Sequence, residues 1–127
     1  MNIKSSKTLV EEALGVVKTI SPQEALKKIE NNQCNLIDIR DNIELQREGA
    51  IENSFNIPRG LLEFSINPES QYVQEKKLDL NKEIVLFCAA GGRSALAAKT
   101  LKEMGFEKVS HIAGGFNLMK VSGFKIK

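Results

Sequence analysis

The chemistry this chain can do is concentrated in seven consecutive residues, Cys88-Ala89-Ala90-Gly91-Gly92-Arg93-Ser94. A cysteine thiolate is a strong nucleophile, and the residues around this one favour negative charge at its sulfur. Gly91 and Gly92 remove side chains from the loop, so that backbone N–H groups can point at one centre and form an anion-binding nest. A helix opening near Arg93-Ser94 adds unsatisfied N–H groups and the positive end of its dipole. Arg93 adds a full positive charge, and Ser94 a hydroxyl that can donate or cap. Such a cradle suits a thiolate, a persulfide anion (Cys–S–S⁻) or an incoming oxyanion, and it needs no histidine base. A cysteine at a strand end is often only a small buried hydrophobe. The alanines, glycines, arginine and serine after Cys88 are not what that role asks for.

The other reactive side chains are fewer and less suggestive. His111 is the only histidine, so a Ser–His or Cys–His machine would have to use it. It falls in a predicted strand distant from Cys88 and is read as structural. Cys34 precedes a strand and lacks a glycine-rich cradle, so it is read as a structural thiol, with a resolving partnership to Cys88 as the minor alternative. Two cysteines make neither a disulfide framework nor a zinc site, which usually needs four Cys or His ligands. Asp38 and Arg40 sit at the end of a strand and are expected to form a structural ion pair or turn, although they could line the site.

These residues need a frame, and the hydrophobic pattern supplies one. Thr8-Leu9-Val10-Glu11 reads as a capping box opening an N-terminal amphipathic helix that ends near Gly15. Val16 to Ile20 reads as a short strand. Ser21-Pro22-Gln23-Glu24 opens a second helix, capped by Ser21 and ended by Asn31 and Asn32. A buried strand follows over Leu36-Ile37-Asp38-Ile39, then a short helix from Asp41 that stops by Gly49. Ser54 to Ile57 is another strand, closed by Pro58; Leu61 to Phe64 is a helical turn; Pro68 to Lys77 holds a short helix or surface loop. Glu83-Ile84-Val85-Leu86-Phe87 is the most apolar strand, the kind that suits a parallel sheet covered on both faces. Ala95 to Met104 reads as a helix stopped by Gly105, Lys108 to Ile112 as the last strand, and Gly114-Gly115 as a turn into a short final helix.

Strands alternating with helices predict an α/β fold: a mainly parallel central sheet flanked by helices on both faces. In open sheets of this kind ligands bind beyond the carboxyl ends of the strands, where Cys88 falls. At 127 residues the chain has the size of one ordinary domain. A net charge of +2 is too small to argue for nucleic acid or an anionic membrane, and neither is expected as a partner. No run approaches the roughly 20 apolar residues of a membrane helix and no secretory signal is read, so a cytoplasmic protein with reduced thiols is the expectation.

In order and spacing, several short segments resemble the rhodanese homology domain. They are Leu36-Ile37-Asp38-Ile39-Arg40, Gly49-Ala50-Ile51, Asn56-Ile57-Pro58-Arg59-Gly60, Cys88 to Ser94, and Ala113-Gly114-Gly115-Phe116. The resemblance covers about Ser21 to Val121 and implies a rhodanese-like domain over 21–127, with residues 1–20 as an added helix and lead-in strand packed on it. It implies a parallel sheet with the catalytic cysteine loop at one sheet edge. It also implies transfer of sulfane sulfur from a donor such as thiosulfate to a thiophilic acceptor, cyanide or a thiol, through a Cys88 persulfide, with Ala89, Ala90, Gly91, Gly92, Arg93 and Ser94 as the anion-binding loop. Arg59 matches a segment near the family's active-site rim and is a candidate to attract anionic donors; a site role for Glu63 is less supported. No metal or organic cofactor is implied. Alternatives are a sulfur-carrier module serving a dedicated protein partner, and a phosphatase of the same fold. Phosphatases of this fold carry one residue more between cysteine and arginine than the four found here, Ala89 to Gly92. Two positions depart from the pattern: Ala50 where the family often has His, and Met119 where it often has Trp.

Overall fold

The most apolar run in the chain, Glu83–Phe87, is the middle strand of a five-stranded sheet in the computed structural model, which describes Met1–Lys127. The strands are β1 (Lys18–Ile20), β2 (Cys34–Asp38), β3 (Phe55–Asn56), β4 (Glu83–Phe87) and β5 (Val109–Ile112), ordered β1-β5-β4-β2-β3. Every pairing is parallel. A parallel sheet must be covered on both faces, and alternate residues of β4 divide between two cores. Ile84, Leu86 and Cys88 pack with Ile37, Ile39, Ala97, Ala98 and Leu101. Val85 and Phe87 pack on the other face with Leu36, Ala25, Phe116 and Met119.

The helices are α1 (Ser6–Leu14), α2 (Pro22–Glu30), α3 (Asn42–Glu48), α4 (Leu62–Ser65), α5 (Gln71–Gln74), α6 (Gly92–Glu103) and α7 (Gly115–Met119). Ser21 and Glu24 form the expected capping box of α2. No helix is long and apolar enough to cross a membrane. Helix α1 lies against α6. Its cap is Ser5 rather than Thr8: Ser5 Oγ accepts from Thr8 N at 3.1 Å, which places Thr8 inside the first turn. Ser5 is as good a cap as Thr8, and using it lengthens the helix by nearly a turn.

Two differences from the sequence reading concern the cysteine loop. It follows the middle strand, so it lies at the carboxyl end of the sheet's centre and not beside an outer strand. A run as apolar as Ile84 to Phe87 needs strands on both flanks and helices on both faces, and only the centre provides them. In addition, α6 begins at Gly92 instead of Ala95. Gly91 adopts φ +112, a left-handed value open to glycine, and turns the chain into the helix early. Arg93 and Ser94 therefore belong to the first helical turn.

Candidate active site

That early start aims the helix at the sulfur. The first-turn N–H groups of a helix have no partner within it. Ser94 N donates to Cys88 Sγ at 3.3 Å, and Gly91 N donates to the same atom at 3.2 Å. Cys88 itself is only 1% exposed. The loop is also held from the opposite face, where Cys88 O accepts from Phe116 N at 2.8 Å and Ala89 O accepts from Asn117 N at 3.0 Å. This close approach depends on Gly115, which has φ +54 and no Cβ: an added Cβ would fall 2.4 Å from Cys88 O. The Gly114-Gly115-Phe116 segment is thus the clamp on the cysteine loop.

The arginine of the loop is engaged elsewhere than expected. The full positive charge that the sequence offers the cradle is paired: both terminal nitrogens of Arg93 donate to Glu44 of α3, each at 2.9 Å. Glu44 Oε2 also accepts from Asp41 N at 2.8 Å, capping its own helix. These bonds, Arg93's first, hold the Glu44 carboxyl at about 2 against an ordinary 4.5. They push Arg93 up, with the charge of Cys88 a smaller contributor. A carboxylate lowered in the folded state contributes stability above its unfolded value, and loses it as pH falls towards the folded one. Both side chains are partly exposed, so Glu44→Gln is expected to cost about 1 kcal/mol at neutral pH. Denaturant melts should show the gap between variant and wild type closing between pH 4.5 and 2.

Ser94 brings in two residues whose part the sequence reading did not see. Its Oγ lies 3.6 Å from Cys88 Sγ and 2.9 Å from His111 Nδ1. His111 Nε2 lies 2.9 Å from Thr19 Oγ1 on β1. His111 is therefore joined to the sulfur through one hydroxyl and is not distant from it. The available signal was alternation: His111 shares a sheet face with Val109, the face on which Cys88 and α6 pack. Seeing it required knowing that β5 lies beside β4.

The remaining candidates make their polar contacts with groups other than the sulfur. Asp38 and Arg40, both 0% exposed, form the expected ion pair, with Arg40 Nη2 donating to Asp38 Oδ2 at 2.8 Å and Nε to Oδ1 at 3.0 Å. The Arg40 guanidinium stacks 3.9 Å over the Phe116 ring, so this pair braces the clamp rather than lining the site. The Arg59 guanidinium is engaged rather than open. It pairs with Glu63 at 2.8 Å and reaches Thr100 Oγ1 at 3.3 Å, and Thr100 is six residues along α6 from Ser94, about 9 Å of helix. The i,i+4 spacing of Arg59 and Glu63 in a helical segment explains the capture.

Cys34 is registered with Glu83 at the start of β4, five residues before Cys88, a separation on the order of 16 Å along a strand. Burial first, and Glu83 second, push its thiol up to about 11. A disulfide needs Cα atoms within about 7 Å, so the resolving role has no geometric support. A surface cavity of about 390 Å³, lined by Leu26, Ile29, Glu52 and Phe124 among others, does not include the cysteine loop.

Comparison with known proteins agrees with this geometry. The family model for the rhodanese-like domain matches residues 21–121. Among curated relatives, the candidate sulfur carrier protein YrkF of Bacillus subtilis is 31% identical over 100 residues, 78% of this chain and 49% of that protein. The chain spans less than two thirds of the length of the first relatives it matches. Among solved structures, the polysulfide-sulfur transferase homodimer of Wolinella succinogenes is 33% identical with a TM-score of 0.73, covering 95% of this chain and 85% of that one. A Rhodopseudomonas palustris protein of unknown function, described as a possible tyrosine phosphatase, is 35% identical with a TM-score of 0.84, covering 100% of this chain and 97% of that one. With a parallel sheet, a cysteine at the end of its central strand and a family match over most of its length, the chain belongs to the rhodanese-like domain family.

Proposed function

We propose that this chain is a sulfurtransferase that carries sulfane sulfur on Cys88. The observation that supports this most directly is the convergence of Gly91 N and Ser94 N on Cys88 Sγ, at 3.2 and 3.3 Å. Two fixed donors and a helix N-terminus stabilise an anionic sulfur before and after the reaction. The Cys88 thiolate attacks the outer sulfur of a donor such as thiosulfate. A new S–S bond forms, the donor's own S–S bond breaks, and sulfite leaves with the electron pair. Cyanide or a thiolate then attacks the outer sulfur of the persulfide, and Cys88 departs as thiolate. Ala89, Ala90 and Gly91 supply the loop around the anion, while Arg93 and Ser94 shape its helical side.

Intact-protein mass tests this. Incubation with thiosulfate is expected to add one sulfur atom, and cyanide to remove it. An adduct that persists in Cys88→Ser would overturn the assignment.

One observation favours the carrier reading as the second choice. Glu44 neutralises the loop's only cation, so a thiosulfate dianion meets backbone donors and little net charge. A persulfide delivered by a protein partner would not need that charge. Transfer to cyanide, compared with transfer to a protein thiol, separates the two. The phosphatase reading fits poorly, because an arginine that grips Glu44 with both nitrogens is not free to chelate a phosphoryl group, and the loop has four residues between Cys88 and Arg93.

A further inference from the structure

A continuous chain of hydrogen-bonding groups leads from the buried sulfur to the surface. Cys88 Sγ, Ser94 Oγ, His111 Nδ1 and Nε2, and Thr19 Oγ1 are joined by gaps of 3.6, 2.9 and 2.9 Å. Cys88, Ser94 and His111 are at most 1% exposed, whereas Thr19, on the outer strand β1, is exposed. The donor directions are compatible throughout. A serine hydroxyl has one hydrogen, and Gly91 O at 3.3 Å and His111 Nδ1 at 2.9 Å compete for it; the shorter contact favours His111. With that hydrogen on His111 Nδ1, the lone pairs of Ser94 Oγ face the thiol S–H, and His111 donates Nε2–H to Thr19. Both imidazole nitrogens are thereby committed to hydroxyls, one leading to the sulfur and one to water.

We propose that His111 is a positioning residue for Cys88, acting through Ser94: it holds the serine hydroxyl against the sulfur and takes the thiol proton along that chain when Cys88 ionises. The proposal rests on the reading of Cys88 as the nucleophile. In the forward step the Cys88 S–H bond breaks and its proton passes to Ser94 Oγ, while the Ser94 hydroxyl proton moves to His111 Nδ1. This leaves a thiolate and an imidazolium. The thiolate then takes and gives up sulfur as described above. The proton returns along the same chain when the acceptor has released Cys88, so the cycle consumes no proton.

The surroundings suit a histidine that starts neutral. Burial pushes the imidazole down from its ordinary range, which keeps Nδ1 open as an acceptor. The charged groups on the adjoining elements are engaged or turned away. Lys18 of β1 is registered with Ser110 and by alternation faces the other side of the sheet. Glu83 of β4 binds Ser110 and Lys28, and Arg93 of α6 binds Glu44. Lys7, Glu11 and Glu12 of α1 are solvent-exposed. The titratable group nearest along the chain is Cys88 itself.

The test is alkylation of Cys88 by iodoacetamide across pH, followed by intact mass, in full-length protein carrying Cys34→Ser. His111→Asn keeps an acceptor for the Ser94 hydroxyl but cannot take a proton. It is expected to slow alkylation at pH 7 about tenfold and move the pH–rate profile about one unit higher, without changing the far-ultraviolet circular dichroism. Thr19→Val, which removes only the Nε2 partner, should shift the profile the same way by a smaller amount, and it decides the matter if His111→Asn does not fold. An unchanged profile in a folded variant overturns the proposal. Alkylation needs no sulfur donor, so failure of sulfur uptake with a shifted profile would sink the sulfurtransferase reading and leave the relay standing.

Discussion

Cys88→Ser is expected to abolish sulfur uptake from thiosulfate, a loss of at least about a thousandfold in transfer to cyanide. An oxygen in place of Sγ cannot form a persulfide, and a hydroxyl is far less ionised than a thiol at neutral pH. The fold should survive. Cys88 is buried with one side chain of similar size replacing another, and the N–H groups of Gly91 and Ser94 keep an acceptor in the serine oxygen. The measurement is steady-state thiocyanate formation beside a thermal melt. Wild-type turnover in a folded Cys88→Ser protein would remove Cys88 from the mechanism, and loss of turnover with loss of fold would call for Cys88→Ala as a second variant. Cys34→Ser is the control: it stands at the far end of the sheet, and its transfer rate should match that of wild type.

Gly115→Ala should be the most damaging single methyl in the molecule, destabilising by about 2–4 kcal/mol. The residue has φ +54, a region in which an L side chain is strained. Its new Cβ would also lie 2.4 Å from Cys88 O and 2.9 Å from the Ala89 carbonyl, which are backbone atoms that cannot rotate away. The loop would have to move, and with it the Phe116 N to Cys88 O bond of 2.8 Å. Sulfur uptake should therefore fall together with stability. Gly105→Ala isolates the strain, since Gly105 has φ +107 but no atom within 4 Å of an added Cβ. If urea melts show Gly115→Ala to be no worse than Gly105→Ala, the steric clamp is not what positions the cysteine.

Much of this protein is written locally. The Ser21–Glu24 capping box, the apolar run that becomes β4, and the Cys88-to-Ser94 loop were legible because each depends on residues a few positions apart. The parallel sheet followed from the alternation of elements, and the motif order led to the family. The partners of the site residues were not legible. Arg93 meets Glu44 across 49 residues, Ser94 meets His111 across 17, and His111 meets Thr19 across 92. Those meetings depend on strand order, which places β5 and β1 on one side of β4 and β2 on the other. Periodicity tells which face a side chain takes but not which strand lies next to it. Sequence alone thus marked the cysteine and its anion cradle. Tertiary packing decided that the cradle's arginine is neutralised and that the lone histidine stands one hydroxyl away from the sulfur.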